Sequence, residues 1–204
     1  MENLEELALE RPGGRIEATL YGRSSRGILL CPPHPGYGGD RGDARLVAIA
    51  HRLAGANFAA LCLDYSAYTG GVQEVEDVLL SLRYLEKMGQ PPGLIGYSYG
   101  AVMASHAAAR YPALSGLVLI APPEQVDLLT IDTTSLHRLL IIYGAHDRLV
   151  AGNISKIYAA FKGKKESLSF DTDHFFGGFE ERLADGCLTF FQTAAGRSHQ
   201  FSGG

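Results

Sequence analysis

The sequence predicts one α/β domain with a mostly parallel central sheet and helices on both faces. Short apolar runs alternate with longer segments of helical periodicity along most of the 204 residues. Unbroken apolar runs are typical of strands buried on both faces, and their alternation with helices is typical of a parallel sheet. A chain of this length can bury one good core but is too short for two ordinary α/β domains. We therefore expect a single domain over residues 1–204, with its core at about 13–194, a short polar N-terminal tail and a Gly/Ser C-terminal tail.

The predicted elements follow one another in a regular order. Residues 15–21 alternate apolar and polar side chains, which predicts a half-exposed antiparallel edge strand. Buried strands are predicted at 28–31, 58–65, 94–96, 115–123, 137–144 and 167–170, and helices at 43–54, 72–88, 99–110, 153–161 and 179–194. Ligands of open α/β sheets bind outside the carboxyl ends of the strands. A functional site is therefore expected in the loops that follow these strands.

The composition is that of a globular protein and argues against several functional classes. Hydrophobic residues make up 46% of the chain and charged residues 20%, with a net charge of −4. There is no Lys/Arg-rich run, so we expect no nucleic-acid partner. No apolar run approaches the roughly 18 residues of a membrane span, and the acidic N-terminus lacks the apolar core of a signal peptide. We expect a cytoplasmic protein that is a monomer or a small homo-oligomer.

The three cysteines do not form a recognisable framework. Their number is odd, and no CxxC pair occurs. Cys31 and Cys62 lie in apolar, strand-like runs, where a free cysteine behaves as a small hydrophobic residue. Buried thiols in a reducing compartment are therefore expected rather than a disulfide.

One serine stands between two tyrosines and two glycines, in the segment GYSYG at 96–100. An apolar run precedes it and a helix of small residues follows, so Ser98 lies at a strand-to-helix turn. Such a turn holds the serine in a strained backbone conformation that exposes its hydroxyl, and flanking side chains would collide with the backbone. The amides at the start of the helix suit a developing oxyanion. The pattern favours a nucleophile at Ser98 over an ordinary turn serine.

A serine nucleophile needs a base, and the base needs an acid that orients it. In this type of fold the three residues follow the chain order Ser, Asp, His. Asp147 lies just after the predicted strand 137–144, and His174 lies just after the predicted strand 167–170. The order and the placement both indicate Ser98, Asp147 and His174 as the catalytic residues.

Each of these loop residues also has an ordinary structural explanation. Asp147 could cap the helix that follows it, and His174 could be a loop histidine with a satisfied hydrogen bond. His146 is next to the acid, but we interpret it as a loop residue that points elsewhere. Asp171, Asp173 and His174 fall within four positions of one loop, which makes a poor metal cage, so no metal is expected.

An oxyanion hole requires two backbone donors. The first is predicted to be the amide of Tyr99, which follows the nucleophile. The second should come from the loop PPHPGYGGD at 32–40. Because prolines have no amide hydrogen, Gly36, Tyr37 and Gly38 are the candidates, and Tyr37 is preferred. The glycines of this loop could also bind phosphate, but the loop lacks the GK[ST] ending of a P-loop.

Together these segments resemble the α/β-hydrolases, and more narrowly the small capless group related to dienelactone hydrolase. The likeness rests on PHPGYGG, GYSYGA, YGAHDRLV and DTDHFF, and it extends from about residue 13 to 194. The group commonly has His-Pro-His-Pro in the first loop, whereas this chain has CPPHP. Dienelactone hydrolase uses a cysteine nucleophile, whereas this chain has Ser98. The resemblance implies the fold and the triad but not that enzyme's substrate.

The expected activity is hydrolysis of small carboxylic esters through an acyl-enzyme, without a cofactor. Residues 123–136 are too few to form a cap domain, so the site should be shallow and open. Gly36 and Tyr97 are the predicted substrate-binding residues. Leu128, Leu129 and Ile131 could form an apolar wall, although ordinary packing explains them equally well.

Other functions remain open on the same residues. The triad could transfer the acyl group to an acceptor other than water, or could cleave a thioester or an amide. A non-catalytic binding protein could keep the fold and use the shallow pocket for a ligand. A third alternative is a subunit whose exposed edge strand mediates assembly.

Overall fold

The structure is a computed structural model that describes residues 4–195. Its strands are β1 (Leu4–Arg11), β2 (Gly14–Tyr21), β3 (Gly27–Cys31), β4 (Ala59–Leu63), β5 (Gly93–Tyr97), β6 (Gly116–Ile120), β7 (Gln125–Val126), β8 (Leu129–Thr130), β9 (Leu139–Gly144) and β10 (Lys165–Phe170). Its α-helices are α1 (Ala44–Gly55), α2 (Val72–Glu86), α3 (Tyr99–Arg110), α4 (Ala151–Ala160) and α5 (Glu180–Ala195).

Eight strands of the described residues form one sheet, in the order β1-β2-β4-β3-β5-β6-β9-β10. The pairs from β4 to β10 are parallel, whereas β1 pairs with β2, and β2 with β4, in antiparallel orientation. Helices α1 and α5 pack against each other, and α2 packs against α3, so the helices cover the sheet as separate pairs. The predicted fold class, a mostly parallel sheet with helices on both faces, is confirmed.

The sheet is parallel because its central strands are apolar on both sides. Strands β3, β4, β5 and β6 are buried at every position, which requires helices above and below them. Their carboxyl ends meet at one edge, where Cys31 lies opposite Gly96 and Tyr97 opposite Ile120. The loops that follow these strands are thereby brought together.

Two expectations for the N-terminus are wrong. Residues 4–11 are not a polar tail, because they form β1, and β2 lies between β1 and β4 rather than at the edge. The inward face of β1 carries Glu5 and Arg11 beside two leucines, so the apolar alternation is hidden. Glu5 forms an ion pair with Arg23, and Arg11 forms one with Asp77, so both charges are paired. The predicted Gly/Ser tail lies outside the described residues.

The segment between β6 and β9 forms no cap domain. Residues 121–138 are all described, and within them only the two-residue strands β7 and β8 pair as a small hairpin. Leu128 at its turn is exposed, whereas Leu129 and Ile131 pack against the core. The expectation of a capless fold is confirmed.

The cysteines are free and fully buried, as predicted for Cys31 and Cys62. Burial raises the pKa of all three thiols far above the usual value, which disfavours the reactive thiolate. None of the helices within residues 4–195 is both long and apolar enough to cross a bilayer.

Candidate active site

Ser98 lies at the turn between β5 and α3. Its backbone has φ 53° and ψ −112°, a conformation that costs a non-glycine residue about 1–3 kcal/mol. The two flanking glycines have no room for a side chain. A Cβ at Gly96 would overlap the carbonyl of Gly100, and a Cβ at Gly100 would overlap the carbonyl of Cys31. The glycines therefore let β3, β5 and α3 approach closely enough to hold the strained turn.

The three predicted catalytic residues form one hydrogen-bonded chain. His174 Nε2 lies 3.0 Å from Ser98 Oγ, and His174 Nδ1 lies 2.7 Å from Asp147 Oδ2. Because an ionised carboxylate can only accept, Nδ1 is the donor to Asp147, which leaves Nε2 of the neutral ring to accept from the serine hydroxyl. Asp147 is fully buried and His174 is 8% exposed, so water competes little for their hydrogen bond.

Two backbone amides of the loop after β9 hold the side chain of Asp147. Its Oδ1 accepts hydrogen bonds from the amides of Leu149 and Val150, at 2.9 and 3.2 Å, so the side chain also caps the turn before α4. The capping and triad interpretations are therefore compatible, because different oxygens of one carboxylate bond the turn and His174. A Cβ at Gly144 would overlap the carbonyl of Asp173, so this glycine allows the loops of the acid and the base to touch.

Tyr97 contacts both the backbone and the ring of His174. Its hydroxyl donates to the carbonyl oxygen of His174 at 2.8 Å, and its ring stacks on the imidazole at 5.9 Å between centroids. Burial raises the pKa of this phenol, which keeps it protonated as a donor. Tyr97 is only 1% exposed, so little of it can contact a substrate. Its role as a substrate-binding residue remains a prediction.

Arg45 at the start of α1 contacts the same segment from the other side. Its guanidinium lies 4.6 Å from the centroid of the Tyr97 ring, and its Nη1 donates to the carbonyl of Phe175 at 3.0 Å. Asp43 caps α1 and accepts from Arg45 through both carboxylate oxygens. The hydrogen bond from Arg45 to Phe175 ties the first helix to the loop that carries His174, and the ion pair with Asp43 holds the guanidinium in place.

The predicted oxyanion donors differ in how their amides are placed. Tyr99 is the first residue of α3, so its amide has no partner within the helix by position. The amide of Tyr37 donates to the carbonyl of His34 at 3.0 Å within a short 3₁₀ turn. Those of Gly36 and Gly38 also bond within the loop, to His34 Nδ1 and to the carbonyl of Pro35. The second donor therefore remains a prediction.

His34 lies between prolines in the first loop and was not among the predicted site residues. It nevertheless carries the only amide hydrogen between Pro32 and Pro35. Its ring lies 4.8 Å from the ring centroids of both Tyr37 and Tyr99, and it lines the same cavity as Ser98. Its place just after the apolar strand β3 is the signal that could have found it.

Ser98 and His174 open into a cavity of about 510 Å³ at the carboxyl edge of the sheet. Val126, Leu149, Val150 and Phe175 provide apolar walls, and Tyr37 lies at the mouth. Gly36 is not among the lining residues, although Tyr37 beside it is, so its predicted contact with substrate remains a prediction. Asp43 and Arg45 also line the cavity, and no sequence motif indicated them.

The remaining candidate groups of these loops stay outside the triad. His146 Nε2 lies 2.6 Å from Asp171 Oδ1, and both side chains are largely exposed. Asp173 accepts a hydrogen bond from the amide of Phe175. Residues 4–195 contain no group of three or more His, Cys, Asp or Glu side chains suited to holding a metal ion.

Solved structures with the same architecture are numerous. The chain superposes with a TM-score of 0.82 on an alpha-beta serine hydrolase homologue from Coxiella burnetii, at 22% identity, covering 91% of this chain and 96% of that one. It matches dienelactone hydrolase from Anabaena variabilis with a TM-score of 0.78, at 16% identity, over 94% and 98% of the two chains. An esterase from Pyrococcus furiosus gives 0.78 at 15% identity, over 94% and 93%.

Identities this low show a shared fold and leave activity open. None of the curated protein sequences matches the chain. The family model described as "Alpha/beta hydrolase family" matches residues 13–202, which is nearly the whole chain. The elbow at Ser98, the sheet order and this match agree, and the chain belongs to the alpha/beta hydrolase family.

Proposed function

We propose that the protein is a serine hydrolase that cleaves small carboxylic esters through an acyl-enzyme. The observation that carries the proposal is the unbroken chain from Ser98 Oγ through the His174 ring to the buried Asp147. Support also comes from the fold, which is shared with structures described as a serine hydrolase, a dienelactone hydrolase and an esterase.

The geometry gives each residue one role. His174 Nε2 takes the hydroxyl proton as Ser98 Oγ attacks the ester carbonyl, and Asp147 stabilises the imidazolium that forms. His174 then returns the proton to the departing alcohol. Water attacks the acyl-enzyme with His174 as base again, which releases the acid and restores Ser98.

The oxyanion is held by backbone amides in this mechanism. Tyr99 supplies the first amide from the N-terminus of α3. Tyr37 is the second donor if its turn releases the hydrogen bond to His34, and the amide of His34 is the alternative within the same loop. A donor of this kind contributes about 10²–10³ in kcat in known serine hydrolases.

Two other activities use the same three residues. Acyl transfer to an alcohol or amine differs from hydrolysis only in what attacks the acyl-enzyme, and thioester or amide cleavage differs only in the leaving group. The capless segment 121–138 leaves the cavity open to water, which favours hydrolysis. Product analysis with added methanol separates transfer from hydrolysis.

The first test is labelling with a fluorophosphonate, read as intact-protein mass. We expect one adduct on the native protein, mapped to Ser98, and none on heat-unfolded protein or on Ser98→Ala. Hydrolysis of p-nitrophenyl butyrate should follow the same pattern. A native protein that takes no label and hydrolyses no ester would exclude the mechanism and favour a ligand-binding protein.

A further inference from the structure

We propose, on the basis of the proposed function, that the site selects neutral esters against esters carrying a carboxylate, and that Asp43 sets this selectivity by neutralising Arg45. Among the described residues that line the cavity, Arg45 is the only Arg or Lys. It is thus the one fixed cation available there to recognise an anionic substrate group.

The guanidinium of Arg45 already forms hydrogen bonds within the protein. Asp43 accepts from Nε at 2.9 Å and from Nη2, a two-point pairing in which the planar fork matches the carboxylate. Nη1 donates to the carbonyl of Phe175 at 3.0 Å, and the face of the group lies over the ring of Tyr97. The side chains of Arg45 and Asp43 are only 19% and 6% exposed, so salt screens the pair weakly.

Next to the cavity-lining residues along the chain, acidic side chains outnumber basic ones: Asp40, Glu124, Asp127 and Asp173 against Arg148. Asp127 follows the lining residue Val126 and accepts a hydrogen bond from the Tyr68 hydroxyl, and Asp173 precedes His174. Burial is the largest cause that raises the pKa of Tyr97. The cation of Arg45 lowers this pKa, and the carboxylates of Asp43, Asp147 and Asp173 raise it further. With Arg45 neutralised, a substrate carboxylate would meet a field of its own sign.

The mouth of the cavity suits an uncharged group instead. Tyr37, Leu149 and Phe175 all line it and are 90%, 67% and 61% exposed, and exposed large side chains grouped at one cavity are typical of a ligand-binding surface. Val126 and Val150 continue this surface inward. An aliphatic chain of an ester bound at Ser98 would cover these side chains and remove their apolar area from water.

A matched pair of substrates tests the proposal without any variant. p-Nitrophenyl hexanoate and mono(p-nitrophenyl) adipate have the same chain length, and a carboxylate replaces the terminal methyl group in the second. We expect wild-type kcat/KM to be at least about tenfold higher for the hexanoate, because an unpaired charge is desolvated beside other carboxylates. Equal values would overturn the proposal.

The variant Asp43→Asn tests the cause. Asparagine is as good an N-cap as aspartate, so α1 should still begin at the same residue. The positive charge of Arg45 would then no longer be neutralised by residue 43. We expect the hexanoate-to-adipate ratio to narrow by at least about fivefold, and the gain to shrink as salt is added. The control is Asp185→Asn, which frees Arg52, another arginine of α1, from an ion pair outside the cavity and should leave the ratio unchanged.

The outcomes separate this inference from the proposed function. In one outcome the wild type hydrolyses the hexanoate while Asp43→Asn leaves the hexanoate-to-adipate ratio of kcat/KM unchanged. That result would overturn the role of Asp43 but not the proposed esterase function. A wild-type protein that hydrolyses neither ester and takes no fluorophosphonate on Ser98 would overturn both. Thermal unfolding of each variant shows whether the fold is retained.

Discussion

Two histidine–aspartate pairs lie at the same edge of the sheet, and their distances are nearly equal. His174 Nδ1 is 2.7 Å from Asp147 Oδ2, and His146 Nε2 is 2.6 Å from Asp171 Oδ1. In the first pair the side chains are 10% and 0% exposed, and in the second they are 69% and 87% exposed. Members of the two pairs are also close neighbours in sequence, since His146 adjoins Asp147 and Asp171 lies three residues before His174.

The difference shows that a short contact does not make a catalytic pair. The buried pair has a second partner on the other ring nitrogen, Ser98 Oγ, and a tyrosine that fixes the backbone of the histidine. The exposed pair is surrounded by water, where an ion pair contributes little and is screened by salt. Burial and the third partner distinguish the pair that we propose as the base and its acid.

The largest expected effect comes from replacing the histidines. His174→Ala should lower kcat for p-nitrophenyl butyrate by about 10³–10⁶, because the serine loses its base, and Ser98→Ala should do the same. His146→Ala should stay within about twofold of wild type, since surface substitutions act weakly. A large loss in His146→Ala with normal folding would break the comparison.

Replacing the aspartates should give the next largest effect. Asp147→Asn should lower kcat by about 10²–10⁴, because the amide no longer holds the required tautomer of His174. Its oxygen can still accept from the Leu149 and Val150 amides, so urea unfolding should change little. Asp171→Asn is the matched control, expected to be close to wild type. A variant Asp147→Asn that kept most of its activity would show that another group orients the base.

A smaller effect is expected from the tyrosine beneath the histidine. Tyr97→Phe removes the donor to the His174 carbonyl but keeps the ring, and a buried carbonyl left unpaired costs about 1–3 kcal/mol. We expect a fall in kcat of about 3–30-fold with KM nearly unchanged, since an error in the position of the base affects the transition state. Tyr158→Phe, which removes a hydroxyl bonded to the Lys165 carbonyl, should leave kcat unchanged.

The smallest effect concerns salt. Raising NaCl from about 0.05 to 0.5 M shortens the screening length several-fold, which weakens exposed ion pairs. Wild type and His146→Gln should then show the same kcat and the same urea midpoint. A salt-dependent loss of activity that His146→Gln abolishes would give the exposed pair a role.

Most of the fold could be predicted from the sequence, because the central strands are continuous apolar runs. The exceptions have physical causes. In β1 the inward face includes Glu5 and Arg11, which form ion pairs with Arg23 and Asp77, so its alternation is not apolar. Strands β7 and β8 have two residues each, which is too short for any periodicity.

The hydrogen-bonded chain of Ser98, His174 and Asp147 was predictable because each member follows a strand end in the expected order. Asp43 and Arg45 were not, because their place in the cavity depends on how α1 packs, and no local spacing encodes that contact. The amide of Tyr37 illustrates a similar gap, since its bond to His34 follows from the geometry of a turn. The sequence therefore located the side chains of the proposed triad better than the backbone donors or the cavity wall.

The hydrogen bond from Tyr97 to the backbone of His174 links the last residue of β5 to a loop 77 residues away. An opening motion that releases the base must also break a contact made by the elbow itself. Local fluctuations of the loop are therefore coupled to those of the central sheet. Amide hydrogen exchange in the His174 loop should be slowed toward the rates of β5, and Tyr97→Phe should release it without altering exchange in β3.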